Sequence, residues 1–493
     1  MKVLLLDPNI AGRAVQPPHN LPQLKAYLQE RTKHRAVLLD FTFRKTAWRK
    51  DLTRTIDREK PDLIGISCQS LNYAQAVEVA AFAKRRSGLP ILFGGVHAIL
   101  AAEEVIAGSR ADMVCTGEGE RTLANLLDAG LDPRGVRGIW YRTAAGEIIR
   151  NEPEPVIADL DELPFPDWSD YDLETYFRIN NHHLPMMCSR GCPYECTYCS
   201  AAALKKALGW TKVRWRSVES VMEEIGVRLE KYAGRGFRHL QFDDDTFILR
   251  REFVLDFCRA FRERGYDRRL LWAANVRADL VTPELVSAMK DAGCYEVGLG
   301  VESVDDNVRR NVYKRNMSLE QIERAVSLIR GHGIQLHIPI IIGSPYDTVE
   351  IMERNLAFAK KLRAECMLFP ALMPLPGTEI RKICEDEGLI EEPGFRRPHD
   401  MHTRPIIRTK YASRRDVARI LKKARRYAMT TYALEGIRRK GLRFAWDLLA
   451  FLVYFKPKYR LEIDNAWKFT LNKYNLERAH RRRRPVVSRT EEA

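Results

Sequence analysis

CSRGCPYECTYCS, residues 188–200, is the stretch on which the reading of this chain turns. It overlaps the end of an apolar run, LPMMCSR (184–190), and sets Cys192, Cys196 and Cys199 in C-x3-C-x2-C spacing on one short loop. Ten cysteines in 493 residues are too sparse for a disulfide scaffold and point to metal or redox use of a subset. Thiolates bind iron–sulfur clusters, and close spacing lets one loop wrap one cluster. Three protein thiolates leave one iron of a 4Fe–4S cube open to another ligand. A zinc site competes with this reading, but it needs a fourth ligand, for which His182, His183 and Cys188 are the nearby candidates. Three core cysteines clustered by chance is the bland alternative, and Cys188, inside the apolar run, reads as a small core residue.

Downstream of the loop, HLQFDDD (239–245), LLWAANV (270–276), YEVGLGV (295–301), LHIPIII (336–342) and CMLFPAL (366–372) repeat the strand pattern. Helical stretches such as SVESVMEEIGVRLEKY and REFVLDFCRAFRER separate them. With LPMMCSR that makes six β/α units, the layout of a (β/α)6 partial TIM barrel with its chemistry at the carboxyl ends of the strands. Upstream, KVLLLD (2–7), RAVLLDF (35–41), DLIGIS (62–67), PILFGG (90–95) and ADMVCTG (111–117) alternate with amphipathic helices. That alternation predicts a doubly wound, Rossmann-like parallel sheet. The fold class is therefore α/β. The expected domains are 1–137, a hairpin and a Pro- and acid-rich linker over 138–175, the barrel over 176–400, and a basic, mostly helical region over 401–493.

An open iron can hold S-adenosylmethionine (SAM) through its amino and carboxylate groups and pass it an electron. In its cysteine motif the chain resembles the radical SAM superfamily, including Tyr198 ahead of the last cysteine, which in that family lies against the adenine region. The SRGCP segment is similar to the subgroup that carries an N-terminal cobalamin-binding domain. The resemblance implies SAM contacts at Asp243 and Asp244 in QFDDD, at Asn275, at Glu302 and Ser303 in GVES, and at Gly343 in IIGSP. It implies reductive cleavage of SAM to a 5′-deoxyadenosyl radical that abstracts hydrogen from substrate, with an external electron donor of the flavodoxin or ferredoxin type. Taken singly, FDDD reads equally as a helix cap and Glu302 as a surface charge.

Residues 1–150 resemble the cobalamin-binding domain of that subgroup through LLLDPN, PPHNLPQLKAYL, GGVHAI and GEGE, in that order. The resemblance implies cobalamin contacts at Asn9, Ser67, Gln69, Gly94, Gly95, His97, Gly117 and Glu118. The D-x-H-x-x-G motif that supplies a cobalt-ligating histidine elsewhere is absent, which puts a histidine lower ligand in doubt. A nucleotide-binding domain would show the same glycine-rich strand ends, and a relic sheet without cofactor is a further alternative. With cobalamin, the implied reaction is methyl transfer to an unactivated carbon or to phosphorus. Cyclisation or rearrangement without methyl transfer is the second enzymatic reading, and a non-catalytic metal- or nucleotide-binding regulator is the third.

The net charge of +16 is unevenly spread: residues 401–493 hold 25 Lys/Arg against 8 Asp/Glu, so the rest is near neutral. The segment GIRRKGLRFAWDLLAFLVYFKPKYRLE (436–462) sets an apolar run, Leu448 to Phe455, among basic residues, and Arg478 to Arg484 are denser still. The run is too short to span a bilayer but fits packing on the barrel or peripheral contact with an anionic membrane. A small-molecule or lipid substrate and a cytoplasmic location, peripheral at the inner membrane face, are expected. A solvated extension is the plainer reading of the tail, and no nucleic-acid module accompanies its charge.

Overall fold

The structure is a computed structural model and describes residues 1–10, 16–180, 182–392, 394, 403–450 and 453. The apolar runs of the first segment are buried on both faces and form β1 (Lys2–Asp7), β2 (Arg35–Asp40), β3 (Leu63–Ser67), β4 (Ile91–Gly94) and β5 (Met113–Cys115). These five pair in parallel in the order β2-β1-β3-β4-β5. The hairpin β6 (Ile139–Arg142) and β7 (Ile148–Arg150) adds two antiparallel strands, making seven. Strand order reverses at β1, which lies between β2 and β3, so the crevice beyond their carboxyl ends is where such sheets bind ligands.

The linker is not a loose tether. Asp167 and Asp170 grip the buried ammonium of Lys25 at 3.2 and 2.8 Å, and the Asp170 carboxylate also takes the Leu38 N–H at 2.9 Å. Trp168, fully buried, donates its ring N–H to the Pro18 carbonyl at 3.0 Å.

Six further strands, β8 (His183–Met186), β11 (His239–Phe242), β12 (Leu271–Val276), β13 (Cys294–Leu299), β14 (Gln335–Pro339) and β15 (Cys366–Leu368), form one wholly parallel sheet in chain order. This is the open, partial barrel. Between β8 and β11 a two-residue antiparallel ribbon, β9 (Ser189–Arg190) with β10 (Arg214–Trp215), flanks the cysteine loop. The helices starting at 218, 283, 319, 349, 379 and 414 each follow a Ser or Thr whose hydroxyl accepts an N–H from the first turn. Such caps satisfy donors that a helix start leaves free and fix where each helix begins.

One hydrophobic cluster runs from β1 and the Asn20–Arg31 helix through Trp168 into the barrel and on to the Arg414–Lys440 helix. That last helix buries Val417, Ile420, Leu421, Ala424, Ala428 and Tyr432 along one face. The Tyr432 hydroxyl donates to the Met367 carbonyl at 2.7 Å and accepts the Met367 N–H, so both backbone groups of that residue on edge strand β15 are paired. A second cluster fills the other face of the front sheet. Of the basic tail, residues 454–493, including Arg478 to Arg484, lie outside the described residues.

Candidate active site

The cysteine loop leaves the carboxyl end of β8. Cys196 is buried, and Cys192 and Cys199 are half-buried. Burial pushes the Cys199 thiol up to about 12, and the Cys192 thiol also rises, each raised further by the other cysteines of the loop. Among the described residues, no three His, Cys, Asp or Glu side chains are gathered tightly enough to hold a single metal ion. Three thiols on one short loop are the donor set of a cluster with one iron open, whereas a tetrahedral zinc needs a fourth ligand. The proposed fourth zinc ligands do not join it. His182 and His183 stand at the amino end of β8, opposite the loop, and the Cys188 thiol is wholly buried. The Arg277 guanidinium lies 4.0 Å from the Cys196 sulfur, sits 3.5 Å from the Tyr194 ring centroid and is held by Asp279 at 3.1 Å. It offers positive charge beside thiolate sulfur; the sequence offers Arg277 as a candidate ranked behind Glu302 and Asp244.

The barrel residues expected to meet SAM divide into two groups. Asp243, Asp245 and Asn275 face the open side at the ends of β11 and β12. Asp243 accepts a hydrogen bond from Gln16 of the front domain at 3.0 Å, and the surrounding protein and the Asp244 charge raise its carboxyl. Asp244 and Ser303 point inward instead. Asp244 takes the Cys188 N–H at 3.1 Å and the Ser189 hydroxyl at 2.5 Å, and burial raises its carboxyl to about 6. It thus fixes the approach to the cysteine loop. Ser303, buried, accepts the Asp305 N–H at 3.2 Å and shapes the turn after β13.

Glu302 is buried with φ +64, a strained value for a non-glycine residue and one that clusters at functional sites. Arg315, also buried, donates to the Gly300 carbonyl at 2.8 Å and to the Tyr198 hydroxyl at 3.3 Å. Burial works to lower the Arg315 pKa, but Tyr198 and the Glu302 charge more than reverse this. A side chain at Gly300 would begin 2.2 Å from the Glu302 carboxylate, so the glycine makes room for this pair. Tyr198 packs edge-on against Tyr313 at 4.8 Å. Gly343 (φ +86) closes on Val417, and beyond it Asp347 takes the N–H groups of Gly343 and Ser344 at 3.0 and 2.9 Å. Tyr198, Glu302 and Arg315 thus form one charged, hydrogen-bonded group beside the cysteine loop.

On the front sheet, backbone rather than side chain is on offer. A methyl group added at Gly94 or Gly117 would meet nothing closer than 3.9 or 4.0 Å, so the protein's own packing does not demand these glycines. They leave bare strand ends that suit the approach of a large ligand. Gly95 (φ +94) differs: a Cβ there would sit 2.6 Å from the Cys68 carbonyl. The side chains expected to touch cobalamin are largely occupied. Asn9 donates to Thr42 at 2.9 Å and Ser67 accepts from Asn20 at 2.7 Å, while at Gln69 it is the backbone N–H that donates to Asn72 at 2.7 Å. His97 is buried, its Nδ1 3.0 Å from the Ser70 hydroxyl and its ring 4.2 Å from that of Tyr73. Burial lowers its imidazole to about 4. Glu118 pairs with Arg214 at 2.8 Å.

The two halves meet at the loop. The helix Val96–Leu100, which follows Gly95, packs on Ser200–Leu208, which follows Cys199. The exit of the cysteine loop thus lies against the helix that follows the Gly94–Gly95 strand end.

The family model of the radical SAM superfamily matches residues 186–359, and that of the B12 binding domain matches residues 12–127. An uncharacterized methyltransferase of Pyrococcus horikoshii is 28% identical over 86% of this chain and 91% of its own length. The anaerobic magnesium-protoporphyrin IX monomethyl ester cyclase of Rubrivivax gelatinosus is 27% identical over 77% of this chain and 69% of its own length. The radical S-adenosylmethionine methyltransferase TsrM of Kitasatospora setae, solved with cobalamin and a [4Fe-4S] cluster, superposes with a TM-score of 0.67 at 20% identity, covering 85% of this chain and 81% of that one. That likeness is one of fold.

Proposed function

We propose, from the premise that this chain belongs to the radical SAM superfamily and carries a B12-binding domain ahead of its barrel, that it methylates an unactivated carbon of a small molecule. The observation that carries this reading is the junction of the two halves: the helix that follows the front sheet's Gly94–Gly95 end packs on the helix that follows the three-cysteine loop. When bound, the cluster supplies the electron that cleaves SAM, and cobalamin carries the methyl group. The chain's own residues supply position and charge. Cys192, Cys196 and Cys199 hold the cluster. Asp243 and Asn275 offer oxygen acceptors to the ammonium and hydroxyl groups of SAM. Glu302, under the influence of the Arg315 charge, offers a carboxylate near the ribose, and Tyr198 offers a ring to the adenine. Gly94, Gly95 and Gly117 admit cobalamin to the front sheet, with His97 turned into the protein rather than toward cobalt. The electron comes from a flavodoxin- or ferredoxin-type donor.

Anaerobic reconstitution with iron, sulfide, cobalamin and a low-potential reductant tests the reading. Formation of both 5′-deoxyadenosine and S-adenosylhomocysteine from SAM is expected. 5′-Deoxyadenosine alone would favour a cyclase or rearrangement enzyme. A colourless zinc protein would favour a non-catalytic regulator.

A lipid substrate, met by a cytoplasmic enzyme at the inner membrane face, is a finer reading that one observation favours. Of nine large hydrophobics exposed among the described residues, six (Leu434, Ile437, Leu442, Trp446, Leu449 and Val453) lie in the last twenty described positions. Arg438 and Arg443 are exposed among them. No described helix is long and apolar enough to cross a membrane, whereas an apolar face edged with basic groups suits its surface. Flotation with liposomes containing anionic lipid, with and without residues 436–493, tests this. Equal behaviour of the two proteins would remove the reading.

A further inference from the structure

Two motifs from opposite ends of the site touch across the domain boundary. GEGE (117–120) ends β5 and opens the Gly119–Asp128 helix; SRGCP (189–193) leads into the cysteine loop. Glu120, almost fully buried, meets the Arg190 guanidinium at 2.5 Å. Glu118 meets Arg190 at 3.3 Å and Arg214 at 2.8 and 2.9 Å, and it accepts the Ile157 N–H at 2.7 Å. Arg190 and Arg214 are direct cross-strand partners on the β9–β10 ribbon. Like charges so placed repel, and here the two front-domain carboxylates lie against them and offset the repulsion. The ribbon's charge pattern therefore matches a docked front domain.

The lever is short. Only Gly191 separates Arg190 from Cys192, and Gly191 (φ +101) lies so close to the Trp210 ring that a Cβ would sit 2.7 Å from it. The ion pairs hold the entry of the loop, and the 96–100 helix packs on the 200–208 helix at its exit. Two neighbouring strand ends of the front sheet, β4 and β5, thus grip the two flanks of one loop.

We propose that Arg190, held by Glu118 and Glu120, is a positioning residue that keeps the front domain in register with the cysteine loop, and that methyl transfer depends on this register more steeply than SAM cleavage does. The catalytic half of this statement rests on the methyltransferase reading above; the docking half does not. Methyl transfer needs groups borne by two domains to meet, and a displacement of about 1 Å can cost on the order of 100-fold. SAM cleavage draws on the barrel and its loop.

The test uses the full chain as wild type, Glu120→Gln, Arg190→Lys and Arg190→Met. Hydrogen–deuterium exchange without cofactors reads docking. Glu120→Gln, a change in the front domain, is expected to speed exchange in peptides covering 188–200 by about ten-fold or more, in line with the cost of breaking a buried pair. Unchanged exchange there overturns the proposal. In reconstituted protein of equal iron content, the ratio of S-adenosylhomocysteine to 5′-deoxyadenosine is expected to fall about 100-fold in Arg190→Met and to recover in part in Arg190→Lys, which keeps the charge. Parallel loss of both products in all three variants overturns the catalytic half. A wild type that forms neither product overturns the methyltransferase reading instead, and the exchange measurement still decides the docking.

Discussion

Among the described residues the front sheet and the barrel sheet meet at the cysteine loop, and their carboxyl ends present different chemistry. The barrel end is rich in available side chains: Asp243, Asp245 and Asn275 are open, and Glu302 is buried but backed by Arg315 and Tyr198. The front end has its polar side chains tied into the protein and its backbone bare at Gly94 and Gly117. A small, charged, flexible reagent is best gripped by converging hydrogen bonds and charges, whereas a broad planar one is best met by shape. The same architecture thus serves two ligands by exchanging side-chain contacts for surface.

The sharpest way to break this comparison is to remove the loop's chemistry. Cys196→Ala is expected to lose the iron–sulfur chromophore and to lower 5′-deoxyadenosine formation by about three orders of magnitude or more, since the cofactor carries that step. Iron content and low-temperature EPR check it. Next, Glu302→Ala removes a buried carboxylate whose charge acts on buried Arg315. A clear fall in Tm is expected, with SAM binding at least about ten-fold weaker from the lost charged contacts; calorimetry reads both. On the front side, Gly95→Ala forces a Cβ against the Cys68 carbonyl at an unfavourable φ. About 1–3 kcal/mol of destabilisation is expected, together with poorer retention of cobalamin after gel filtration.

The last effect is one of pH. Burial lowers the His19 imidazole to about 3, opposed by Glu224 and reinforced by the charges of Arg228, Arg190 and Arg216. The unfolded chain takes up this proton near pH 6.5 and the folded chain only near 3. Between those values the unfolded state binds more protons, so stability falls as pH is lowered through that window. His19→Gln is expected to flatten the acid limb of a Tm-against-pH curve, and an unchanged slope would remove His19 from the account.

Much of this was legible in the sequence because the signals were local. The eleven parallel strands announce themselves as apolar runs, and the cysteine loop by its spacing. Strand ends at QFDDD, GVES and GGVH follow from the same alternation. What was not legible depends on packing at long range. Asp244 and Ser303 sit in the right motifs but face inward, because neighbouring Cys188, Ser189 and Asp305 claim them. Arg315 reaches the site from a turn that carries no spacing rule. The pairing of GEGE with SRGCP joins residues 70 positions apart, and its only trace in the sequence is the complementary charge of two motifs.

The Tyr432 hydroxyl, clasping both backbone groups of Met367 at the rim of the barrel, separates two roles within the C-terminal region. A barrel that stops at six strands leaves a raw margin, able to recruit a strand from any neighbouring chain. Here one phenol on a helix works as a hem. A truncation at residue 400 would unpick it and invite aggregation, whereas one made after residue 440 would keep the margin closed and remove only what lies beyond.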